Sequence, residues 1–369
     1  MYKLELKDFI LSHDNWEELL TQDPYNLKIS RDNGYIMFKY NQLSSDFSIP
    51  LVREARGIIF TESNWQCVCR AFDKFGNYGE SYVPELDWNN GVSVQEKVDG
   101  SLMKIWHWTD GWHLSTNGSI DAFHTETQDA FYSTFGLLFE RALKEYEYNS
   151  FEEFVDTLEY GFTYMFELAT EKNRVVIPYE GYHIYYLGQR EMITMQECDY
   201  REVFTDIEVP KIYTMNTLQD VEDAAENLPW DEEGYVCVDE DFNRCKIKSP
   251  AYVRAHYARN NNVISTKKLI EVVLNNEIEE FCIYCSDYKD KLFEIQSKME
   301  KVKQKAIEYF AKHLFSMSNR KDFSQSIKDV PEPYKSFLFC SSNVEKLWNN
   351  FIKDWTVNKW EKIINEIGE

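Results

Sequence analysis

The chain has 369 residues, 63 acidic and 40 basic side chains, and a formal net charge of −23. At 43% hydrophobic and 16% aromatic it can bury a sizeable core, which excludes a disordered acidic polymer. No apolar run approaches the ~18 residues of a membrane span, no secretory leader is visible in MYKLELKDFILSHDNW, and eight scattered cysteines suit a reducing, cytoplasmic compartment.

Residues 30 to about 250 read mainly as short strands. VSVQEKV (92–98) is the first clear one. LMKIWHWTDGWHLST alternates apolar and polar residues around Asp110-Gly111, which predicts a hairpin. Ala122–Tyr148 carries apolar residues at helical spacing and predicts a helix. FTYMFELA (162–169), YHIYYLG (182–188) and GYVCV (234–238) read as strands, and after about Pro250 the strand signal fades. Lys267–Leu274, Asp287–Phe315 and Val344–Ile367 read as helices. The expected organisation is an α+β domain over 1–255 and an all-helical domain over 256–369.

The charge is unevenly distributed. Leu218–Asp241 holds ten acidic residues and no basic one, whereas Phe242–Ile270 holds seven Lys or Arg and no acidic one. A charge of −23 argues against a broad phosphate-binding surface, yet the average conceals this basic island.

Four groups of residues have the composition of a reactive site. Lys97 ends a strand, with Asp99 and Gly100 turning the chain just after it. A lysine there can act as a nucleophile if its ammonium loses a proton, and the glycine would let a ligand approach the backbone; a surface Lys–Asp pair is the plainer reading. Arg244, Lys246 and Lys248 alternate with Cys245 and Ile247, so the three cations share one strand face. Glu233-Gly234 opens the preceding strand, and together they form a hairpin with its loop near Glu240–Asn243. Such a row of cations suits a polyphosphate or a solvated strand face. Glu167 lies in an apolar strand and needs a metal, a ribose hydroxyl or a cation such as Arg174. Arg56 and Gly57 precede another apolar strand, and Lys74 and Phe75 follow the next.

Taken in order, Arg56, Lys74, Lys97 with Asp99, Glu167, Glu233 and Lys246 with Lys248 resemble the successive motifs of the covalent nucleotidyltransferases. The segments EARGIIF, KF, KVDGSL, FELATEKNRVVIPY, EGYV and KIKSPAY, the last ending at Tyr252, are most similar to the bacteriophage RNA ligase 1 family. The likeness covers about residues 35–257. It departs at Ser115-Thr116-Asn117-Gly118-Ser119, where the family has a lysine at the position of Asn117.

The resemblance implies a nucleotidyltransferase domain of antiparallel sheets with flanking helices, followed by a helical domain that selects the RNA. It implies an ATP-dependent RNA ligase, monomeric and not membrane-bound, in the host cytoplasm if phage-encoded, acting in RNA or tRNA repair. Lys97 would carry AMP, with Asp99, Glu167, Glu233, Lys246 and Lys248 as catalytic partners. Tyr40, Arg56, Lys74, Lys97, Glu167, Lys246 and Lys248 would hold the nucleotide. Asp99, Glu167 and Glu233 would hold Mg²⁺, or Mn²⁺ in its place, directly or through water. The RNA would carry 5′-phosphate and 3′-hydroxyl ends, a nicked tRNA anticodon loop being one candidate.

Three alternatives are an mRNA-capping guanylyltransferase, a DNA ligase and a non-catalytic RNA-binding relative. The first two normally continue into a small β-barrel, where this chain turns helical. Cys282 and Cys285 form a lone CxxC without a second pair, His107, His113, Trp106, Trp108 and Trp112 read as hairpin packing, and Lys298, Lys301, Lys305 and Lys312 fall on one helix face. The charge distribution predicts that random duplex RNA binds weakly at ~0.15 M salt and loses affinity steeply as salt rises. Tight duplex binding in a salt titration would contradict that distribution.

Overall fold

A computed structural model describes residues 4–42, 44–127, 131–198, 204, 206–257, 264–275, 277–313, 320–331, 334–335, 338 and 357–366. The chain divides into two units, Met1–His256 and Tyr257–Glu369.

Three antiparallel sheets build the first unit. In the first sheet β1 (Lys28–Asp32), β2 (Tyr35–Lys39), β3 (Arg56–Thr61) and β4 (Cys67–Cys69) lie side by side in chain order. β2 and β3 are apolar on both sides because both of their faces are covered. Phe38, Ile58 and Phe60 pack with Leu6 and Ile10 of α1 (Glu5–Ser12), Leu20 of α2 (Trp16–Leu20) and Val52 of α3 (Pro50–Glu54). Met37 and Ile59 pack on Trp106. The buried Glu54 carboxylate accepts from the backbone N–H groups of Glu5 and Leu6, tying down the start of α1.

The second sheet is ordered β10 (Glu197–Cys198), β9 (Tyr182–Glu191), β8 (Phe162–Thr170), β6 (Ser101–Trp108), β7 (Gly111–Thr116). Its hairpin turns at Asp110-Gly111 with Trp108 opposite Gly111, as the alternation predicts. Trp106 donates to Ser115 Oγ at 2.8 Å and stacks on His113 at 4.1 Å, so these aromatics are cross-strand packing. The third sheet is ordered β11 (Ile212–Tyr213), β5 (Val92–Glu96), β12 (Gly234–Asp239), β13 (Arg244–Lys248). Its core face, with Val94, Cys237, Cys245 and Ile247, is covered by Val221 and Ala225 of α6 (Leu218–Glu226).

β13 is the last strand of that sheet, but the middle of its outer side is paired. Lys246 N–H donates to Gly76 O at 3.0 Å and Tyr78 N–H donates to Lys246 O at 2.9 Å, which lays Asn77 parallel to the strand.

The helix expected over Ala122–Tyr148 is broken. A 3₁₀ turn spans Ala122–His124, Glu126 bridges Thr134, and the helix proper is α4 (Phe135–Leu143), ending in a second 3₁₀ turn at Lys144–Tyr146. Residues 128–130 lie outside the described residues. Two caps explain the break. Asp121 accepts from Phe123 N–H, and Thr134 Oγ1 accepts from Leu137 N–H, so the chain starts a helix twice. Helical spacing is satisfied by either piece alone. A short α5 (Phe151–Val155) follows and packs with α4 over β8 and β6.

α7 (Pro250–Tyr257) follows the third sheet. The second unit holds α8 (Thr266–Leu274), α9 (Ile278–Tyr284), α10 (Lys289–His313), α11 (Arg320–Ser326) and a last helix at Val357–Glu366, with no strand among its described residues. On α10, Lys298 pairs with Glu294 one turn back at 2.8 Å. Of the expected helices, 314–315, 344–356 and 367 lie outside the described residues, as does Arg259 of the basic island. No described helix is long and apolar enough to cross a membrane.

The double start makes a prediction. Thr134→Ala should lower the unfolding free energy by about 1 kcal/mol in denaturant melts, whereas Ser133→Ala should leave it unchanged. Equal effects would mean that Thr134 does not cap α4.

Candidate active site

Three strand ends of the third sheet bring the first charges together. The chain leaves β5 at Lys97, whose N–H donates to Gly234 O at 2.8 Å. Gly234 is in turn opposite Lys248 at the end of β13. Glu233, 5% exposed, sits just before β12 and bridges the two lysines. Its Oε2 is 2.8 Å from Lys97 Nζ and its Oε1 is 3.5 Å from Lys248 Nζ. Lys97 keeps 21% of its surface exposed, so the ammonium is held in place while remaining reachable. The cation row of β13 alternates with the buried Cys245 and Ile247, as period two requires.

Asp99 is buried and heavily bonded. Its Oδ2 accepts from the N–H groups of Val176 and Ile177 at 2.9 and 2.8 Å, and its Oδ1 accepts from Tyr252 Oη at 3.0 Å. Its own N–H donates to Tyr179 Oη at 3.1 Å. Three of the roughly four lone-pair positions of a carboxylate are therefore used. The expectation that Gly100 admits a ligand to the backbone is corrected. A Cβ there would lie 2.5 Å from Leu168 O and 3.0 Å from Glu167 Cγ, so what approaches is β8. The glycine lets the turn press against the strand that carries Glu167.

Glu167 lies on β8 opposite Leu102. Among the described residues no side chain hydrogen-bonds its carboxyl, and Arg174 instead donates from Nε to Val176 O at 2.9 Å. Burial pushes the Glu167 carboxyl up to about 7; Lys97 and Arg56 oppose the shift, and Glu233 and Asp99 add to it.

The remaining expected residues line up nearby with different partners. Lys74 Nζ lies over the Phe47 and Tyr40 rings, 5.1 and 5.6 Å from their centroids, which brings Tyr40 and Lys74 together. Arg56 stacks over Phe75 at 5.1 Å. Arg244 departs from its neighbours on β13. It is 2.5 Å from Glu197, which also holds Arg190 at 2.6 Å, and it lies over Phe72 at 4.2 Å. It therefore ties β13 to the second sheet. A cavity of about 890 Å³ beside it is lined by Lys74, Phe75, Arg190, Glu197, Phe242 and Arg244, and Lys97 does not line it. Sequence reasoning passed over Tyr179, Lys39 and Lys104. Lys104 carried a signal, since it shares a strand face with Leu102 and Trp106 and is fully buried.

The set has the chemistry of phosphate transfer: a held but accessible lysine, cations around it, and a buried carboxyl at Glu167 that feels the neighbouring Glu233. Among the described residues no three acidic, His or Cys side chains converge as direct metal ligands. Glu167 nevertheless fits a hydrated divalent cation, because a raised carboxyl without a partner is stabilised by positive charge, and Glu233 beside it would add a second carboxylate to hold the cation's waters. Asp99 has little capacity left for such a role.

A family model described as RNA ligase matches residues 54–252. A protein of Autographa californica nuclear polyhedrosis virus, named for a bifunctional polynucleotide kinase/RNA ligase, is 30% identical over 274 residues, 70% of this chain. The chain spans only 39% of that relative. An RNA ligase of Rhodothermus phage RM378 is 25% identical over 385 residues, covering 84% of this chain and 86% of the phage protein. Among solved structures, an archaeal ATP-dependent RNA ligase is similar at a TM-score of 0.44 and 13% identity, covering 75% of this chain and 73% of its own. A likeness that loose assigns no residue a role.

The Glu167 environment makes a pH prediction. An acid held above its ordinary value binds its proton more tightly folded than unfolded, so stability falls as pH rises from about 4.5 to about 7. Glu167→Gln should therefore be more stable than the parent at pH 8, by on the order of 1–3 kcal/mol, and nearly equal at pH 4.5. A difference independent of pH in paired melts would show that Glu167 is not held protonated.

Proposed function

Since the chain belongs to the RNA ligase family, we propose that it seals RNA ends with ATP, using Lys97 as the nucleophile. The observation that carries this reading is the placement of the Lys97 ammonium, reachable from outside and flanked by Glu233 and Lys248. Lys97 Nζ, after its ammonium has lost one proton to solvent, forms a bond to the α-phosphorus of ATP as the bond to pyrophosphate breaks, and the nitrogen then releases a second proton to solvent. AMP then passes to a 5′-phosphate on RNA, and a 3′-hydroxyl displaces AMP to close the phosphodiester.

The residues suit these steps. Glu233 orients the ammonium before reaction, and Lys248 competes for the same carboxylate, so Lys97 is not locked in its ion pair. Lys246 and Lys248 supply positive charge where the transferring phosphate gains negative charge. Arg56 and Lys74, each set against an aromatic ring, suit the leaving phosphates, with Tyr40 supporting Lys74. Asp99 acts as a positioning residue: through Val176, Ile177 and Tyr252 it fixes the turn from which Lys97 projects. A bound divalent cation would neutralise phosphate charge, with Glu167 and Glu233 placed to hold its waters.

The test incubates the protein with Mg²⁺ and ATP or GTP labelled at the α-phosphate. Label from ATP should become covalently attached to protein, and Lys97→Ala, checked for folding by its melting curve, should reduce it to background. Label from GTP alone would support a capping enzyme, and no label from either would support a binding protein.

A further inference from the structure

The likeness expects a lysine where this chain has Asn117, and the structure shows what stands in its place. Lys39 ends β2 and is directly opposite Arg56, the first residue of β3, just past a register shift at Phe38/Lys39. A Cβ on Gly118 would lie 3.2 Å from Lys39 Nζ, so this ammonium reaches the Asn117-Gly118 turn from the neighbouring sheet. Lys104 approaches the same place from below. Its buried ammonium donates to Gly57 O, and a Cβ on Gly57 would lie 2.8 Å from Lys104 Nζ and 2.9 Å from Asn117 O. Gly57 has φ +73°, so both its conformation and its crowding require glycine.

The cluster is cationic, and the nearby Glu167 carboxyl offsets only part of the Arg56 charge. Among the described residues no carboxylate pairs with Lys39, Arg56 or Lys104. Arg56 Nε and Asn117 Oδ1 are both buried without a hydrogen-bond partner. Burial lowers both Lys39 and Lys104 from their ordinary values, and Arg56 and Lys39 add to the lowering at Lys104. Like charges set opposite one another across strands destabilise a sheet, and unpaired buried polar atoms cost more. An arriving anion offsets the like charges and gives the Arg56 Nε–H an acceptor.

We propose that Lys39 supplies the phosphate-binding ammonium that Asn117 cannot, and that with Arg56 it grips the end of ATP that leaves as pyrophosphate. Lys104 is too deeply buried to touch the ligand and holds the Gly57 backbone where β3 packs against Asn117. The proposal rests on the reading of Lys97 as an ATP-directed nucleophile.

The experiment measures Lys97 self-adenylylation against ATP concentration. Lys39→Gln removes one charge-assisted contact and should raise the KM for ATP about tenfold while the limiting rate changes less. Lys39→Arg should recover most of that loss, and so should Lys39→Gln combined with Asn117→Lys. An unchanged KM in a folded Lys39→Gln overturns the proposal. A second measurement needs no variant: inorganic pyrophosphate should shield Lys39 of the parent protein from an amine-acylating reagent, read by mass spectrometry. Equal acylation with and without pyrophosphate also overturns it. If the parent takes no label from ATP, the nucleophile reading fails separately, and shielding still decides whether the cluster holds a polyphosphate.

Discussion

The buried carboxylate of Asp99 joins three stretches of chain. It receives two backbone N–H groups from the loop after β8 and a hydroxyl from α7, and its own backbone N–H reaches Tyr179. Hydrogen bonds to an ionised acceptor are among the stronger ones available to a protein, and a buried acceptor left bare is costly. The turn after Lys97 therefore has little freedom. Gly100 presses the same turn against Leu168, so Lys97 on the third sheet and Glu167 on the second are held at a separation set by backbone contacts.

Electrostatics completes the arrangement without a broad positive surface. The chain carries −23 overall, yet the cations of β13 are divided between tasks. Arg244 is tied to Glu197 and stacked on Phe72, so it works as a rivet between sheets. Lys248 shares Glu233 with Lys97, the proposed nucleophile. Two residues with the same spacing and the same face thus divide by the acid each meets: Glu197 of the second sheet for Arg244, and Glu233 of its own sheet for Lys248.

Much of this was legible in the sequence, and the exceptions share a cause. The Asp110-Gly111 hairpin, the alternation of β13 and the strands at 162 and 182 follow from local rules of period and turn chemistry. The grouping of Lys97, Glu233 and Lys248 follows from the order of motifs together with strand pairing. The single helix over Ala122–Tyr148 was misread because periodicity is blind to a cap inside the run; Thr134 was the missed signal. The role of Asp99 as a clamp, the failure of Arg174 to meet Glu167, and the approach of Lys39 to the Asn117 turn all depend on which sheet faces which. No spacing along one chain encodes that.

The short stitch of Gly76–Tyr78 onto β13 has a consequence beyond holding Lys74 and Phe75 near the site. A terminal strand exposes alternating donors and acceptors that can recruit a strand from another molecule. Here the middle of that ladder is already occupied, and Arg244, Lys246 and Lys248 stand along one face of the same strand. A backbone strap and a row of charges are two of the means by which proteins discourage edge-to-edge pairing. The strand that carries this row of cations is thereby also guarded against self-association, and loosening the 76–78 loop would expose the molecule to oligomerisation beside the proposed site.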